Sequence, residues 1–373
     1  MIYFDNSATT WPKPDRVYRG VYEFMKKYGA NPGRGGHYMA QKASKAVYEC
    51  REVAARLLGI DDCSKIIFTK NTTEALNMVI KGVLKPGDHA VCTSMEHNSV
   101  YRPLDKMSKN GVKFDIVQGD KDGIISSGNI EDAILPETKL VVVNHMSNVC
   151  GTIQDIEAIS EIVHRKGALL LVDCAQSGGL ININMNNVDF AAFAGHKGFY
   201  GPMGTGMLCI NCDADISSLT EGGTGSYSDS IVQPEEFPDR LESGTLNAPG
   251  IAGLCEGMKF VSVVGLDRIY EHEMKLTTYF TDNLRSIKGI TVYGPDEYSK
   301  KGPVVAFNKA GMDCVTLAQK LNDKFSIASR AGYHCAYKAH QTIGSVDGCV
   351  RFSFGRFNTI DEVGKSLKAI ELI

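Results

Sequence analysis

Apolar and polar positions along this chain follow two periods. Short runs such as 140–143 and 169–172 are apolar throughout. A run of that length without a polar face reads as a strand covered on both sides. Strands are expected at 65–69, 89–93, 113–117, 139–144, 168–172, 189–193 and 206–210. Between them the spacing changes to three and four. Within 41–58, Ala43, Ala46, Val47, Cys50, Val53, Ala54 and Leu57 fall on one helical face. The segments 74–83 and 156–166 read the same way. This alternation predicts an α/β protein built on a mostly parallel seven-stranded sheet.

The pattern changes past about residue 250. The stretch 250–286 reads as one or two long helices, interrupted near Gly265. Weaker strands follow at 291–293, 304–307 and 350–353. A closing helix starts near Thr359, where Thr359-x-x-Glu362 fits a capping box. The expected organisation is a large domain, 15–262, and a smaller C-terminal α+β domain, 263–373, to which 1–14 is assigned. No internal repeat or low-complexity tract is present.

Composition narrows the function classes. The net charge is -3 and the basic residues are dispersed among acids, so nucleic acid is not an expected partner. No apolar stretch approaches the length of a membrane span, and the start MIYFDNSATT lacks the pattern of a secretory signal. Neither a membrane nor export is expected. Eleven scattered cysteines then fit thiols in a cytoplasmic protein, not a disulfide framework. Cys209-x-x-Cys212 has no second pair, and His272-Glu273 lacks the second histidine of a zinc helix. The glycine-rich 201–206 matches no nucleotide-binding pattern. No metal is expected.

The candidate chemistry lies just after the strands, where open α/β sheets carry their sites. One strand runs into Thr69-Lys70-Asn71-Thr72-Thr73-Glu74, a helix start with free N–H groups and hydroxyls that suit an anion, or a plain helix cap. Others run into Glu96-His97-Asn98, Asn144-His145-Met146-Ser147-Asn148, Asp173-Cys174-Ala175-Gln176 and Gly195-His196-Lys197-Gly198. Each has a bland alternative as a cap, turn or solvated loop. Their joint occurrence needs a coincidence at every strand end. A lysine between small residues can form a Schiff base with an aldehyde cofactor. An aspartate ending a buried strand can keep a pyridinium nitrogen protonated, and a histidine can stack on the ring. Together these are the parts of pyridoxal phosphate chemistry.

The segments YFDNSATT, NTTEALN, MEHN, SNVCGT, VDCAQS, GHKGFYGPMGTG, ESGTLN, RAGYHCA and RFSFGRFNT occur in one order along nearly the whole chain. That ordered set resembles the class V aminotransferase-fold pyridoxal phosphate enzymes of fold type I. Within them it resembles the cysteine desulfurase and selenocysteine lyase group with a short catalytic loop. The resemblance implies Lys197 as the Schiff-base lysine, Asp173 at the pyridinium nitrogen, Gln176 at the phenol oxygen and His97 on the ring. It implies phosphate contacts from Thr72, Thr73 and His196, and from Thr245 of a second subunit, hence a homodimer. Asn148 and Arg351 match substrate-carboxylate contacts, Arg330 the entrance, and Cys335 the nucleophile that takes sulfur as a persulfide. The implied substrate is L-cysteine, with L-selenocysteine, or another class V reaction, as the alternative, and a sulfur-acceptor protein is an implied partner. There are departures from the family pattern. Ala194 stands where Ser or Thr is common, Tyr333 where a second histidine is common, and no proline follows Cys335.

Overall fold

The structure is a computed structural model that describes residues 1–33 and 35–373. Its larger sheet has seven strands in the spatial order Ile66–Thr69, Gly206–Ile210, Phe190–Ala194, Leu169–Asp173, Thr138–Asn144, His89–Thr93, Lys113–Val117. Gly206–Ile210 runs antiparallel to both neighbours, and the remaining pairings are parallel. The expected fold class, an α/β fold type I architecture, is therefore what the chain adopts. The continuous apolar runs have a direct cause. Val91, Val141, Val143, Leu170, Val172 and Ala191 feed one core. The alternating residues Ala90, Cys92, Leu140, Val142, Leu171 and Ala192 feed another on the opposite face. The edge strand Lys113–Val117 instead alternates, with Lys113 and Asp115 exposed, which discourages pairing with another chain.

Small shifts in element bounds matter for chemistry. The helix expected from 74 begins at Thr72, so Thr72 and Thr73 lie in its first turn. The strand expected to end at 172 extends to Asp173, which pairs with Asn144 and Ala192. Helices Asp15–Tyr28, Asn98–Ser108, Ser127–Ala133, Cys314–Phe325 and Tyr337–Thr342 were not legible as helical patterns. Asn98–Ser108 carries Pro103 inside it, which disguises it.

The smaller sheet is antiparallel, in the order Arg330–Gly332, Cys349–Ser353, Val304–Lys309, Ile290–Tyr293. Phe4, Phe280, Phe307, Phe352 and Phe354 pack beneath it with ring centroids 5.0 to 5.9 Å apart. Helices Ala248–Val264 and Leu266–Arg285 meet at Gly265 with a bend of 82°, and Gly265 takes a φ of 91° that other residues resist. The closing helix Ile360–Leu372 has its capping box formed by Thr359 and Glu362. Among the described residues no single helix is long and apolar enough to cross a membrane. The N-terminal strip links the two parts. Ile2–Tyr3 pairs with Ile327–Ala328 in a separate two-stranded sheet, the Ser353 N–H of the smaller sheet donates to the Phe4 carbonyl at 2.8 Å, and the Thr10 N–H donates to the His196 carbonyl after the larger sheet at 3.2 Å.

Candidate active site

Because their strands run parallel, Thr93, Asn144, Asp173 and Ala194 end at one edge of the sheet. A cavity of about 110 Å³ opens there. It is lined by Thr72, Thr73, His97, Asn148, Asp173, Gln176, His196 and Lys197, all expected site residues.

Each of these side chains is held from its own loop. Asn71 caps the helix Thr72–Val83 by accepting the Glu74 N–H at 2.9 Å. The Thr72 Oγ1 is buried and has no hydrogen-bond partner, and the same is true of His196 Nδ1. Two orphaned polar atoms beside the positive end of a helix fit a phosphate. His97 caps the helix Asn98–Ser108. Its Nδ1 accepts the Ser99 N–H at 3.1 Å, which leaves the ring proton on Nε2 when the ring is neutral. Burial, with Lys197 and Arg102 nearby, pushes His97 down to about 4, so the ring is neutral at physiological pH. Burial lowers His196 to about 4 as well, with Lys197 and Lys13 adding to it. Gln176 Nε2 donates to the Ser7 carbonyl at 3.1 Å, so the N-terminal strip fixes that amide.

Lys197 and Asp173 form the electrostatic pair of the site. Burial pushes the Lys197 amine down to about 8, against the pull of Asp173 and with the push of Arg351 and Arg330. Burial raises the Asp173 carboxyl, opposed by the Ala175 N–H that its Oδ1 accepts at 2.9 Å and by Lys197. A positive charge beside Asp173 would offset the cost of burying its carboxylate.

The smaller sheet contributes the remaining groups. Arg351 Nη1 donates to the Asn148 carbonyl at 2.8 Å and Nη2 to Asp5 Oδ1 at 2.9 Å, while Nε has no partner. Arg330 sits directly opposite Arg351 across the strand pair and is exposed. Directly paired residues share a face of the sheet, so this face carries two cations that suit an anion. His334 and Cys335 both adopt left-handed backbone, with φ of 48° and 58°. Each costs about 1–2 kcal/mol relative to right-handed geometry. Two hydrogen bonds hold the turn. The Asn98 N–H donates to the Cys335 carbonyl at 2.8 Å, and Asn148 Nδ2 donates to the His334 carbonyl at 2.7 Å. The Cys335 loop is thereby fastened to two strand-end loops that line the cavity, with the Cys335 side chain exposed.

Thr245 stands apart from this cavity. It lines two neighbouring surface cavities with Glu242, Gly244 and Leu246. Four other residues belong to the site although none was given a role from the sequence. Ser99 Oγ lies 2.8 Å from His97 Nδ1 and 2.7 Å from Thr73 Oγ1. Asn144, ending its strand, also lines the cavity. Glu96 is fully buried beneath it. Glu96 accepts from Thr93 Oγ1 at 2.6 Å and the Asn144 N–H at 3.0 Å, and burial raises it to about 8. Asp5, within the quoted YFDNSATT, holds Arg351. Ala194 lines the cavity without a hydroxyl, and Thr72, Thr73 and Ser99 are the hydroxyls that do face it.

Comparison with known proteins agrees with this arrangement. The family model described as aminotransferase class-V matches residues 2–365. A probable cysteine desulfurase of Methanothermobacter thermautotrophicus is 38% identical over 383 residues, covering 99% of this chain and 94% of the relative. One from Pyrococcus abyssi is 36% identical, covering 100% of this chain and 94% of the relative. The solved apo cysteine desulfurase of Thermococcus onnurineus superposes with a TM-score of 0.93 at 36% identity, covering 100% of this chain and 94% of that one.

Proposed function

We propose a division of labour for the residues of this chain, which belongs to the class V aminotransferase family and is a cysteine desulfurase. Its substrate is L-cysteine and its carbon product L-alanine. Members of this family are pyridoxal phosphate enzymes, and the cavity fits that group. Thr72, Thr73 and His196 would hold the phosphate, where two buried polar atoms have no partners. Asp173 would meet the ring nitrogen, Gln176 the phenol oxygen and His97 the ring face. Ser99, by holding His97 and Thr73, takes over part of the support that Ala194 cannot give. Thr245 lies outside this chain's own cavity, so a homodimer in which it serves the second copy accounts for its place. When bound, the cofactor supplies an electron sink for the carbon that loses its proton.

The chain's own groups do the rest. Lys197 would hold the cofactor covalently, and its amine, which burial brings down to about 8, is suited to take the substrate α-proton. Arg351 and Asn148 orient the substrate carboxylate, with Arg330 at the entrance. The Cys335 thiolate attacks the substrate sulfur. A sulfur–sulfur bond forms as the carbon–sulfur bond breaks, the electron pair stays with the carbon fragment, and protonation there gives alanine. The persulfide on exposed Cys335 passes to a thiol acceptor, which we take to be another protein in the cytoplasm.

The observation that carries this reading is the fastening of the Cys335 loop to Asn98 and Asn148 beside the Lys197–Asp173 cavity. The test is product analysis of purified enzyme given L-cysteine. Wild type yields alanine and persulfide, Cys335→Ser keeps the cofactor absorbance but loses sulfur transfer, and Lys197→Ala loses both. Pyruvate in place of alanine, or undiminished sulfur release by Cys335→Ser, overturns the assignment.

A further inference from the structure

Three residues outside the proposed reaction meet just behind the Cys335 turn. One ligand atom each from His334, His340 and Cys349 lies within 4.8 Å of the others, and all three residues are buried. They come from the turn, from the short helix Tyr337–Thr342 and from the strand Cys349–Ser353. Spacings of six and nine residues match no metal motif, so the sequence does not announce them.

The hydrogen bonding around the cluster is incomplete in a specific way. His340 Nδ1 lies 2.8 Å from Ser345 Oγ and 3.2 Å from the Ser345 carbonyl. A carbonyl only accepts, so Nδ1 carries the proton and Nε2 presents its lone pair. That Nε2 is buried and has no partner. His334 Nε2 lies 3.2 Å from the Cys349 carbonyl and 3.6 Å from Cys349 Sγ, and its Nδ1 is buried without a partner. One nitrogen of each histidine is thus left unsatisfied in the cluster. Buried polar atoms without partners are uncommon and call for an occupant.

We propose that His334, His340 and Cys349 form a binding site for a borderline-soft divalent ion of the Zn²⁺ type. Two imidazoles and a thiolate are a donor set that zinc accepts, with a fourth position left for water. Tetrahedral geometry around zinc separates nitrogen and sulfur ligands by about 3.5 Å, given bond lengths of about 2.0–2.3 Å. The His334 Nε2 at 3.6 Å from Cys349 Sγ has this spacing, but it must first give up the Cys349 carbonyl and pass its proton to Nδ1 to serve as the ligand. The widest pair, at up to 4.8 Å, needs to close by about 1.3 Å to reach that separation. The Ser345 carbonyl on His340 Nδ1 is the outer partner that orients a metal-bound imidazole. Burial lowers both histidines, which favours the neutral imidazole that an ion binds. Burial raises the Cys349 thiol, so the ion's charge must drive off its proton, and one proton is released to solvent on binding. Arg351 is the nearest cation on the same strand face, and its charge is answered by Asp5. Tyr333 and Cys335 flank His334 and are exposed, which gives an ion a way in. An ion here ties the turn before Cys335 to the strand that carries Arg351.

The experiment uses the cofactor-loaded full chain, stripped with a chelator and titrated with Co²⁺ and then Zn²⁺. The expected result is one ion per chain, a sulfur-to-cobalt charge-transfer band, and displacement of cobalt by zinc. Cys349→Ala abolishes the charge-transfer band, and His340→Gln weakens binding more than about 100-fold, beyond what loss of an outer partner does. Cys349→Ser, which nearly keeps the size of the thiol, loses the sulfur-to-cobalt band and serves where Cys349→Ala does not fold, whereas Ser345→Ala, which keeps the carbonyl on His340 Nδ1, binds within about 10-fold of wild type. Cys335→Ser binds as wild type does. Absence of binding, or a cobalt–sulfur band that survives Cys349→Ala and disappears in Cys335→Ser, overturns the proposal.

Discussion

Replacing Asp5 by asparagine separates two roles of the Arg351 contact. The Arg351 side chain is 3% exposed and that of Asp5 21%, and their ion pair spans 2.9 Å. The pair is the anchor of a buried cation whose other bond, to the Asn148 carbonyl, carries no charge. Removing a partner outright strands such a charge at a cost of about 3–5 kcal/mol. Asparagine keeps an acceptor oxygen in nearly the same place and loses only the charge. The difference between a charge-assisted and a neutral hydrogen bond is about 1 kcal/mol. Asp5→Asn should therefore lower stability by about 1–2 kcal/mol, read from the urea midpoint at constant slope. The kinetic effect has the opposite sign. If Arg351 receives the substrate carboxylate, Asp5 competes for the same guanidinium. Removing a competing interaction of about 1–2 kcal/mol should lower KM for L-cysteine about 5- to 30-fold, with kcat changed much less. Steady-state alanine formation measures both constants. A KM that is unchanged or raised, in a protein destabilised as expected, refutes the placing of the substrate carboxylate on Arg351.

Glu96→Gln tests the buried acid beneath the cavity. Burial raises the folded-state value to about 8 while the unfolded chain keeps an ordinary carboxyl. The stability this contributes is full below the unfolded value and is lost as pH rises through about 8. Urea midpoints should therefore fall for wild type between pH 5 and pH 9 more steeply than for the glutamine variant, and parallel curves would count against it. Glu242→Ala strands the Arg51 guanidinium, which bonds Glu242 and the Ile66 carbonyl in the core. A loss of about 3–5 kcal/mol is expected by denaturant unfolding, and a loss below about 1 kcal/mol contradicts the buried-pair argument. At Gly198, beside Lys197, an added Cβ would lie 2.3 Å from the Gly178 carbonyl oxygen. Gly198→Ala should cost about 1–3 kcal/mol and weaken the cofactor absorbance together; stability loss with full cofactor loading would show that Lys197 is not displaced.

How much of this was legible in the chain depends on the range of the interaction. Strands such as His89–Thr93 and Gly206–Ile210 appear at the expected bounds because residues covered on two faces must be apolar throughout. The break at Gly265 and the cap at Thr359 are equally local, one a backbone preference and the other a reach of three residues. The helix Asn98–Ser108 hid behind Pro103, and with it Ser99, whose hydroxyl joins His97 to Thr73.

Sequence by itself determined the α/β alternation, the family and the residues that follow each strand. Those follow from periodicity and from ordered motifs, which need no partner in space. Only the tertiary structure decided that Asp5 would answer the charge of Arg351, 346 positions away. It likewise decided that Asn98 and Asn148 would pin the Cys335 turn, and that His334, His340 and Cys349 would share one buried pocket. The first two are meetings of a loop with a distant element, set by how the parts of the fold pack, and the third comes from pairing of neighbouring strands and the short helix between them; none is encoded by spacing along the chain.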